Sequence, residues 1–480
     1  MSEVLDRFRP LFHPRSITFV GASKHPGKWG HIVLQNLING GFAGSIYPVN
    51  PREEEILNLR VRRSVAEVPE ASDLAVVVTP PPTVPAVLQD CVNKGIRAAL
   101  VISAGFAEVG EQGRALQTQM AHIARKGNLV ILGPNSNGIM SPRSRLYPTM
   151  PPLVPEAGPM ALVSQSGNVG ISIVSRAMMK GLGFSYYASS GNEAQQGVTD
   201  LMEFYGKDPD VRAICTYVEG VKDGRRFLDV AEQVTCRKPV VMLKVGHTDA
   251  GARAALSHTA SLSGFRPIFS HAAKRAGILL ADNIDELFNI TAAFIRQPLP
   301  KGRRVGIVTS GGGWGVIGAD ACARAGLDVV PLPEETISRL DRVLPPWWSR
   351  GNPVDLVAGM REGDMEYSIK TLLECPVVDA LLLLGMRSGA LGKEGKPATM
   401  LDSMTAVDGP FYHRLTQLLD EQGKPIILAA DSAFGEVDTA GPLGKVLGQE
   451  GLVCYSLPDH GAVVLSKLAD YADYLKTHRR

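Results

Sequence analysis

The sequence predicts an α/β protein made of three consecutive units, each a parallel, doubly wound sheet. Short β-branched or apolar runs alternate with amphipathic helical stretches along the 480 residues, and that alternation marks parallel sheets covered on both faces. Several runs end in a glycine-containing turn that opens the next helix. Two proline-rich breaks, Met150-Pro-Pro-Leu-Val-Pro-Glu-Ala-Gly-Pro159 and Gln297-Pro-Leu-Pro-Lys-Gly-Arg303, interrupt every periodic pattern. They divide the chain into expected domains at 1–150, 156–298 and 302–480.

In the first unit Ser16–Gly21, Leu74–Val78, Ala98–Ile102 and Leu129–Leu132 read as strands, with helices near 30–40, 83–94 and 111–126. The second unit places strands at 160–163, 186–188, 213–217 and 239–243, again separated by helices. The third begins with Arg304–Thr309 and continues through Ala380–Gly385 and Pro425–Ala429. A helix over Gly461–Lys476 closes it, with regular apolar spacing and a basic tail. Ligands of such sheets collect at the carboxyl ends of strands, where loops meet helix N-termini.

Composition narrows the function. Hydrophobic content of 45%, 20% charged residues and a formal charge of +2 describe an ordinary soluble protein without a polyanion-binding surface. Nucleic acid is therefore an unsuitable partner. No apolar run approaches the ~20 residues of a membrane helix, and no signal-peptide core precedes Arg7 and Arg9, so a cytoplasmic protein is expected. Cys91, Cys215, Cys236, Cys322, Cys375 and Cys454 lack paired spacing, which predicts reduced thiols and no metal site.

Three segments carry the chemistry. Gly21-Ala-Ser-Lys-His-Pro-Gly-Lys-Trp-Gly30 follows a strand and opens a helix, a place to cradle phosphate. It fails as a dinucleotide fingerprint, since Ala22-Ser23 separate Gly21 from a second glycine and the next strand ends Tyr47-Pro-Val-Asn-Pro51 without a ribose-binding acid. It fails as a P-loop too, with Trp29 where Ser or Thr is needed. A Rossmann-like unit with Lys24 and Lys28 near the helix start suits another adenosine phosphate, coenzyme A first; a tight turn that binds nothing is the alternative. His258 lies among hydroxyls and small residues with no acid beside it, a setting in which a neutral imidazole can act as a nucleophile. Helix starts at Ser164-Gln-Ser-Gly-Asn168 and Ser310-Gly-Gly-Gly-Trp-Gly315 each offer an anion site, and together with His258 they suggest phosphoryl transfer through the histidine. Ser164-Gln-Ser-Gly167 is not a hydrolase elbow, because Ser164 stands where that turn needs glycine.

The chain resembles the α chain of the ADP-forming (NDP-forming) acyl-CoA synthetases, the superfamily that includes the succinyl-CoA synthetase α subunit. The resemblance runs through Leu11-Phe-His-Pro-Arg-Ser-Ile-Thr-Phe-Val-Gly-Ala-Ser23, Tyr47-Pro-Val-Asn-Pro51, Val101-Ile-Ser-Ala-Gly-Phe-Ala-Glu108 and Leu132-Gly-Pro-Asn-Ser-Asn-Gly138. It continues through Val163-Ser-Gln-Ser-Gly-Asn168, Ser257-His-Thr-Ala-Ser-Leu-Ser-Gly264 and Asn352-Pro-Val-Asp-Leu356, in family order. It implies a Rossmann-like CoA-binding domain followed by two flavodoxin-like domains. By the same resemblance CoA lies along Gly21, Ala22, Ser23, Lys24, Asn50, Pro80, Ser103, Ala104 and Gly105, with Asn135 nearby. His258 is the residue phosphorylated, Glu219 the carboxylate that orients it, and Ser166, Gly167, Asn168, Gly312 and Gly313 hold the phosphoryl group. The implied reaction interconverts acyl-CoA, ADP and phosphate with a carboxylic acid, CoA and ATP. No ATP-grasp segment is recognisable, so ADP/ATP and Mg2+ are expected on a partner β chain, in a hetero-oligomer.

The chain departs from the family pattern at Ala260 (usually Gly), at Asn137 (usually apolar) and at Trp314 (often Pro), which leaves the acyl group open. A CoA-binding regulatory protein without turnover and a nicotinamide-dependent oxidoreductase are the competing classes. The intact Ser257-His258-Thr259 opposes the first, and the missing fingerprint opposes the second.

Overall fold

The computed structural model describes residues 3–246, 266–356, 363–385, 409–430, 447, 450 and 452–478. They fall into two compact units, one of Met1–Met178 with Gly183–Ile284, the other of Met179–Leu182 with Asp285–Arg480.

The first unit contains two sheets. Strands β1 (Ser16–Val20), β2 (Ser45–Val49), β5 (Leu74–Val77), β6 (Ala98–Val101) and β7 (Val130–Leu132) form a parallel sheet in the order β2-β1-β5-β6-β7. Between β2 and β5 the chain makes a two-stranded hairpin, β3 (Glu55–Ile56) and β4 (Leu59–Arg60). β1, β5 and β6 are buried at every position, the continuous apolar reading expected of a sheet covered on both faces. From β1 the chain turns to β2 on one side and reaches β5 on the other, so their carboxyl ends form the switch point where ligands bind.

The strands of the second sheet are β8 (Ile139–Met140), β9 (Ala157–Ser164), β10 (Phe184–Ser189), β11 (Ala213–Val218), β12 (Val240–Lys244) and β13 (Leu279–Leu280). Their order is β13-β12-β11-β9-β10-β8. All pair in parallel except β8, which runs antiparallel to β10. β8 precedes the first proline-rich break in sequence, yet its hydrogen bonds belong to the second sheet.

An N-terminal helix, α1 (Glu3–Phe12), has no counterpart in the sequence reading, because Pro10 interrupts its helical pattern. Burial overrides the local penalty. Phe8, Leu11 and Phe12 are each at most 1% exposed. Phe12 stacks on Phe204 at 5.2 Å between ring centroids and meets Tyr186 at 4.9 Å. Phe12→Ala should therefore lower stability by about 3–5 kcal/mol, read from urea unfolding, because it opens a cavity among rings that cannot collapse into it.

The second unit carries β14 (Arg304–Thr309), β15 (Asp328–Val329), β16 (Val354–Asp355), β17 (Ala380–Leu384), β18 (Ile426–Ala429) and β19 (Cys454–Tyr455). Their order is β15-β14-β17-β18-β19, with β16 also paired to β14, all parallel. Along β17 the side chains alternate. Leu381 and Leu383 join the core beneath helices Glu334–Leu340, Asp364–Glu374 and Gly409–Gln422. Leu382 and Leu384 face Gly461 and Gly318, on the helices Pro458–His478 and Gly312–Arg324. The leading strands of the two units start alike: Arg15 N–H donates to Asp73 at 2.9 Å and Arg304 N–H to Asp379 at 3.1 Å. The Arg304 side chain adds hydrogen bonds that hold the Asp379 carboxyl below the usual carboxylate range, against the effect of its burial. No helix among the described residues is long and apolar enough to cross a membrane.

Candidate functional site

At the β1/β5 switch point lies a cavity of about 270 Å³ lined by Gly21, Ser23, Lys28, Trp29, Gly30, Val78, Thr79, Ser103 and Ala104. Glycines create it. Gly21 has φ +93°, and a Cβ there would lie 2.2 Å from the Val78 carbonyl oxygen. A Cβ on Gly30 would lie 2.0 Å from the Gly21 carbonyl oxygen. The first turn of α2 (Trp29–Asn39) thus sits directly against the end of β1. Its first residues, Trp29 and Gly30, line the cavity, and a helix N-terminus so placed favours phosphate.

Hydrogen bonds fix the surrounding loops. Asn50 Nδ2 donates to the Ala22 carbonyl at 2.7 Å, and its Oδ1 accepts from Arg52 N–H at 2.8 Å. Ser103 Oγ donates to the Thr79 carbonyl at 2.6 Å and accepts from Thr79 N–H at 3.0 Å. Asn50 and Ser103 therefore shape the cavity through their side chains. Lys24 pairs with Glu53 at 3.0 Å. Pro80, exposed, accepts at its carbonyl from the Thr83 hydroxyl at 2.7 Å. Gly105 has φ +103°, and Asn135, with φ +58°, donates its N–H to Ser103 O at 2.8 Å.

Thr79 was not among the residues singled out by sequence, although it follows a strand that was. Its buried hydroxyl oxygen has no hydrogen-bond partner among the described residues. The helix start and Lys28 on one cavity, with the orphaned Thr79 hydroxyl buried in a lining residue, fit a phosphate-bearing ligand such as CoA. Trp29 and Gly30 fall within the loop singled out by sequence without being named as individual contacts, and Val78 reads in sequence only as the end of a strand.

The second candidate anion site lies at the carboxyl ends of strands in the second sheet. Ser166 and Gly167 lead from β9 into α3 (Gly167–Met179), with Asn168 in its first turn. A Cβ on Gly167 would lie 2.5 Å from Asn137 Cβ, so this glycine is needed for close packing. Ser164 Oγ donates to the Ser166 carbonyl at 2.6 Å, a turn-stabilising role. Glu219 follows β11, the strand next to β9, so the structure brings it to the same sheet end as Ser166–Asn168. It is 5% exposed; its N–H donates to Gln165 Oε1 at 2.5 Å and its carbonyl accepts from Lys244 Nζ at 2.7 Å. Burial first, then the Glu219 charge and hydrogen bond, push the Tyr217 hydroxyl up to about 12. A buried carboxylate beside a neutral phenol can hold a second partner such as an imidazole N–H.

His258 and Ala260 lie outside the described residues. Gly312 and Gly313 begin the helix Gly312–Arg324 in the second compact unit. Gly315 packs against Pro353 and Thr309, where a Cβ would meet atoms at 3.1 Å, whereas a Cβ on Gly313 would meet nothing within 4 Å among the described residues. The chain's own packing explains Gly315. All six cysteines are free thiols, and no metal-ligating cluster occurs among the described residues.

Three family models match in succession: a CoA binding domain over residues 15–142, a succinyl-CoA ligase-like flavodoxin domain over 157–294 and a ligase-CoA domain over 305–391. The α subunit of ADP-forming acetate–CoA ligase I of Pyrococcus furiosus is 36% identical over 98% of both chains. The α subunit of ligase II of that organism is 42% identical over 79% of this chain and 82% of its own. An ADP-forming acetate–CoA ligase of Methanocaldococcus jannaschii is 39% identical over 72% of this chain but only 49% of its own. Among solved structures, the dinucleotide-forming acetyl-coenzyme A synthetase 1 of Ca. Korarchaeum cryptofilum, with phosphate and ADP, aligns with a TM-score of 0.85 at 32% identity over 98% of both chains.

Proposed function

The chain belongs to the ADP-forming acyl-CoA ligases, on the side of their α subunits, and from that premise we propose that it binds CoA at the β1/β5 switch point and carries the phosphoryl group on His258. The cavity carries this reading: glycines hold a helix N-terminus beside it, and Thr79, one of its lining residues, has a buried hydroxyl without a hydrogen-bond partner among the described residues.

Phosphate attacks acyl-CoA, forming acyl phosphate and releasing CoA as the thiol. A nitrogen of His258 then displaces the carboxylate from phosphorus, and ADP takes the phosphoryl group from His258 to give ATP. Each step is reversible. The α3 start at Ser166, Gly167 and Asn168 offers N–H groups to the anion; the helix start at Gly312 and Gly313 is a separate phosphate-binding candidate within the second compact unit. Charge stabilisation and placement are what phosphoryl transfer requires of a protein. Glu219 orients the imidazole and stabilises the positive ring formed on phosphorylation. The nucleotide and Mg2+ are supplied by an ATP-grasp β chain in a hetero-oligomer. Consistent with this, the chain covers 98% of an α subunit but about half of a relative named as the whole ligase. The free thiols agree with a cytoplasmic enzyme. The substrate is a small carboxylic acid.

Calorimetric titration of the whole chain with CoA and with NAD separates this reading from an oxidoreductase. CoA should bind at least about tenfold more tightly, and tighter binding of NAD would overturn the assignment. The purified chain alone should make no acyl-CoA from acetate, ATP and CoA, and addition of an ATP-grasp partner should restore synthesis.

A further inference from the structure

A continuous run of hydrogen bonds links the CoA loop to Glu219, and it crosses from the first sheet to the second within one compact unit. Gly105 N–H donates to Glu108 Oε1 at 2.6 Å. Glu108 Oε2 accepts from Asn192 Nδ2, on the loop that follows β10. The same amide group donates to Gln117 at 3.0 Å, Asn192 Oδ1 accepts from Asn135 at 3.3 Å, and Asn192 N–H donates to the Pro134 carbonyl at 2.9 Å. Lys222 Nζ caps the carbonyls of Asn192 and Glu193. The Glu193 carboxylate accepts from Ser190 Oγ at 2.9 Å, Val198 N–H at 3.0 Å and Gln165 Nε2 at 3.1 Å. Gln165 Oε1 in turn accepts from the N–H groups of Glu219 at 2.5 Å and Gly220 at 3.0 Å.

We propose that the Glu108–Asn192 contact is a positioning bridge through which an occupied CoA loop orders the strand end carrying Glu219, an inference that rests on the CoA loop and the Glu219 role given above. The bridge is stiff for stated reasons. Burial would raise the Glu108 carboxyl, but the hydrogen bonds from Gly105 and Asn192 hold it below the ordinary value, so it stays an acceptor. Gly105 is wedged so that a Cβ would lie 2.6 Å from Pro81 Cγ, and its single N–H cannot serve both Glu108 and a ligand. A ligand that displaces or draws on this loop is therefore felt by Glu108, and coupling of this kind is worth about 5- to 150-fold in a linked equilibrium.

Hydrogen exchange on the whole chain, with and without CoA, tests the bridge. In the unaltered chain CoA should slow exchange by about threefold or more in residues 103–108 and also in 190–196 and 217–221. Glu108→Gln keeps the shape but can no longer accept from both donors. It should bind CoA within about threefold of the original affinity and protect 103–108, while protection of 190–196 and 217–221 disappears. Asn192→Ala should do the same; were it to misfold, the isosteric Glu108→Gln decides. With the partner chain, Glu108→Gln should slow phosphohistidine formation from acetyl-CoA and phosphate by about tenfold and leave formation from ATP unchanged, a split that general destabilisation would not produce. Remote protection that persists in Glu108→Gln, or CoA binding to the unaltered chain without remote protection, overturns the bridge alone. Absence of CoA binding to the unaltered chain overturns the functional reading as well.

Discussion

His258→Ala should reduce acyl-CoA synthesis by the chain and its partner to background, a loss on the order of 10⁴-fold or more, because the proposed mechanism routes the phosphoryl group through that imidazole. Two of the described histidines, His13 and His31, have partners that give them structural roles. His13 bridges Ser144 and the Tyr186 hydroxyl at 2.7 and 2.8 Å, and burial, only partly countered by Asp208, holds its ring below the ordinary value. His31 Nδ1 bonds the Ser23 carbonyl at 3.0 Å. Both serve the fold. The His258→Ala protein should still bind CoA with unchanged affinity, because the cavity at Gly21 and Thr79 is built by the first sheet. Steady-state synthesis and calorimetry on the same preparation measure the two effects.

Gly21→Ala should remove most CoA binding while leaving the chain folded. The added Cβ would be placed 2.2 Å from the Val78 carbonyl oxygen at a φ of +93°. Backbone strain of about 1–3 kcal/mol must then be relieved by moving the loop. That movement separates Ala22 and Ser23 from the start of α2, and an affinity loss of about thirtyfold or more is expected. Gly27 is the control in the same loop, since a Cβ there meets nothing within 4 Å among the described residues. Gly27→Ala should change the affinity by less than about threefold. Equal losses in the two variants would mean that the loop's backbone geometry is not what CoA recognises.

The contrast between these glycines marks where sequence reasoning reaches its limit. A strand, a glycine and a helix start are local features, so the loop at Gly21, the helix start at Ser166–Asn168 and the position of Glu219 at a strand end were all legible. The parallel sheets were legible for the same reason, since β1, β5, β6 and β17 read as uninterrupted apolar runs. The α1 helix was hidden by Pro10, whose local penalty is outweighed by aromatic contacts to residues almost two hundred positions away. The placement of β8 depends on a pairing with β10 across a proline-rich break. Thr79, Asn192, Glu193 and Gln165 are ordinary polar residues in sequence. Their significance comes from register: Tyr217 pairs with Ser164 across β11 and β9, which sets Gln165 beside Glu219 and Gly220. Such juxtapositions are non-local and leave no spacing pattern. Asn50, Lys24 and Ser103 have partners within the chain itself, at Ala22, Glu53 and Thr79, which motif resemblance alone does not reveal.

The central claim, a phosphoryl group carried on His258, is tested most directly by incubating the chain and its ATP-grasp partner with γ-labelled ATP and mapping the label by mass spectrometry. The label should sit on the peptide containing His258, survive alkali, vanish in acid and be discharged by acetate with CoA. An acid-labile label of equal yield on the His258→Ala chain, or a label that resists acid, would contradict the account.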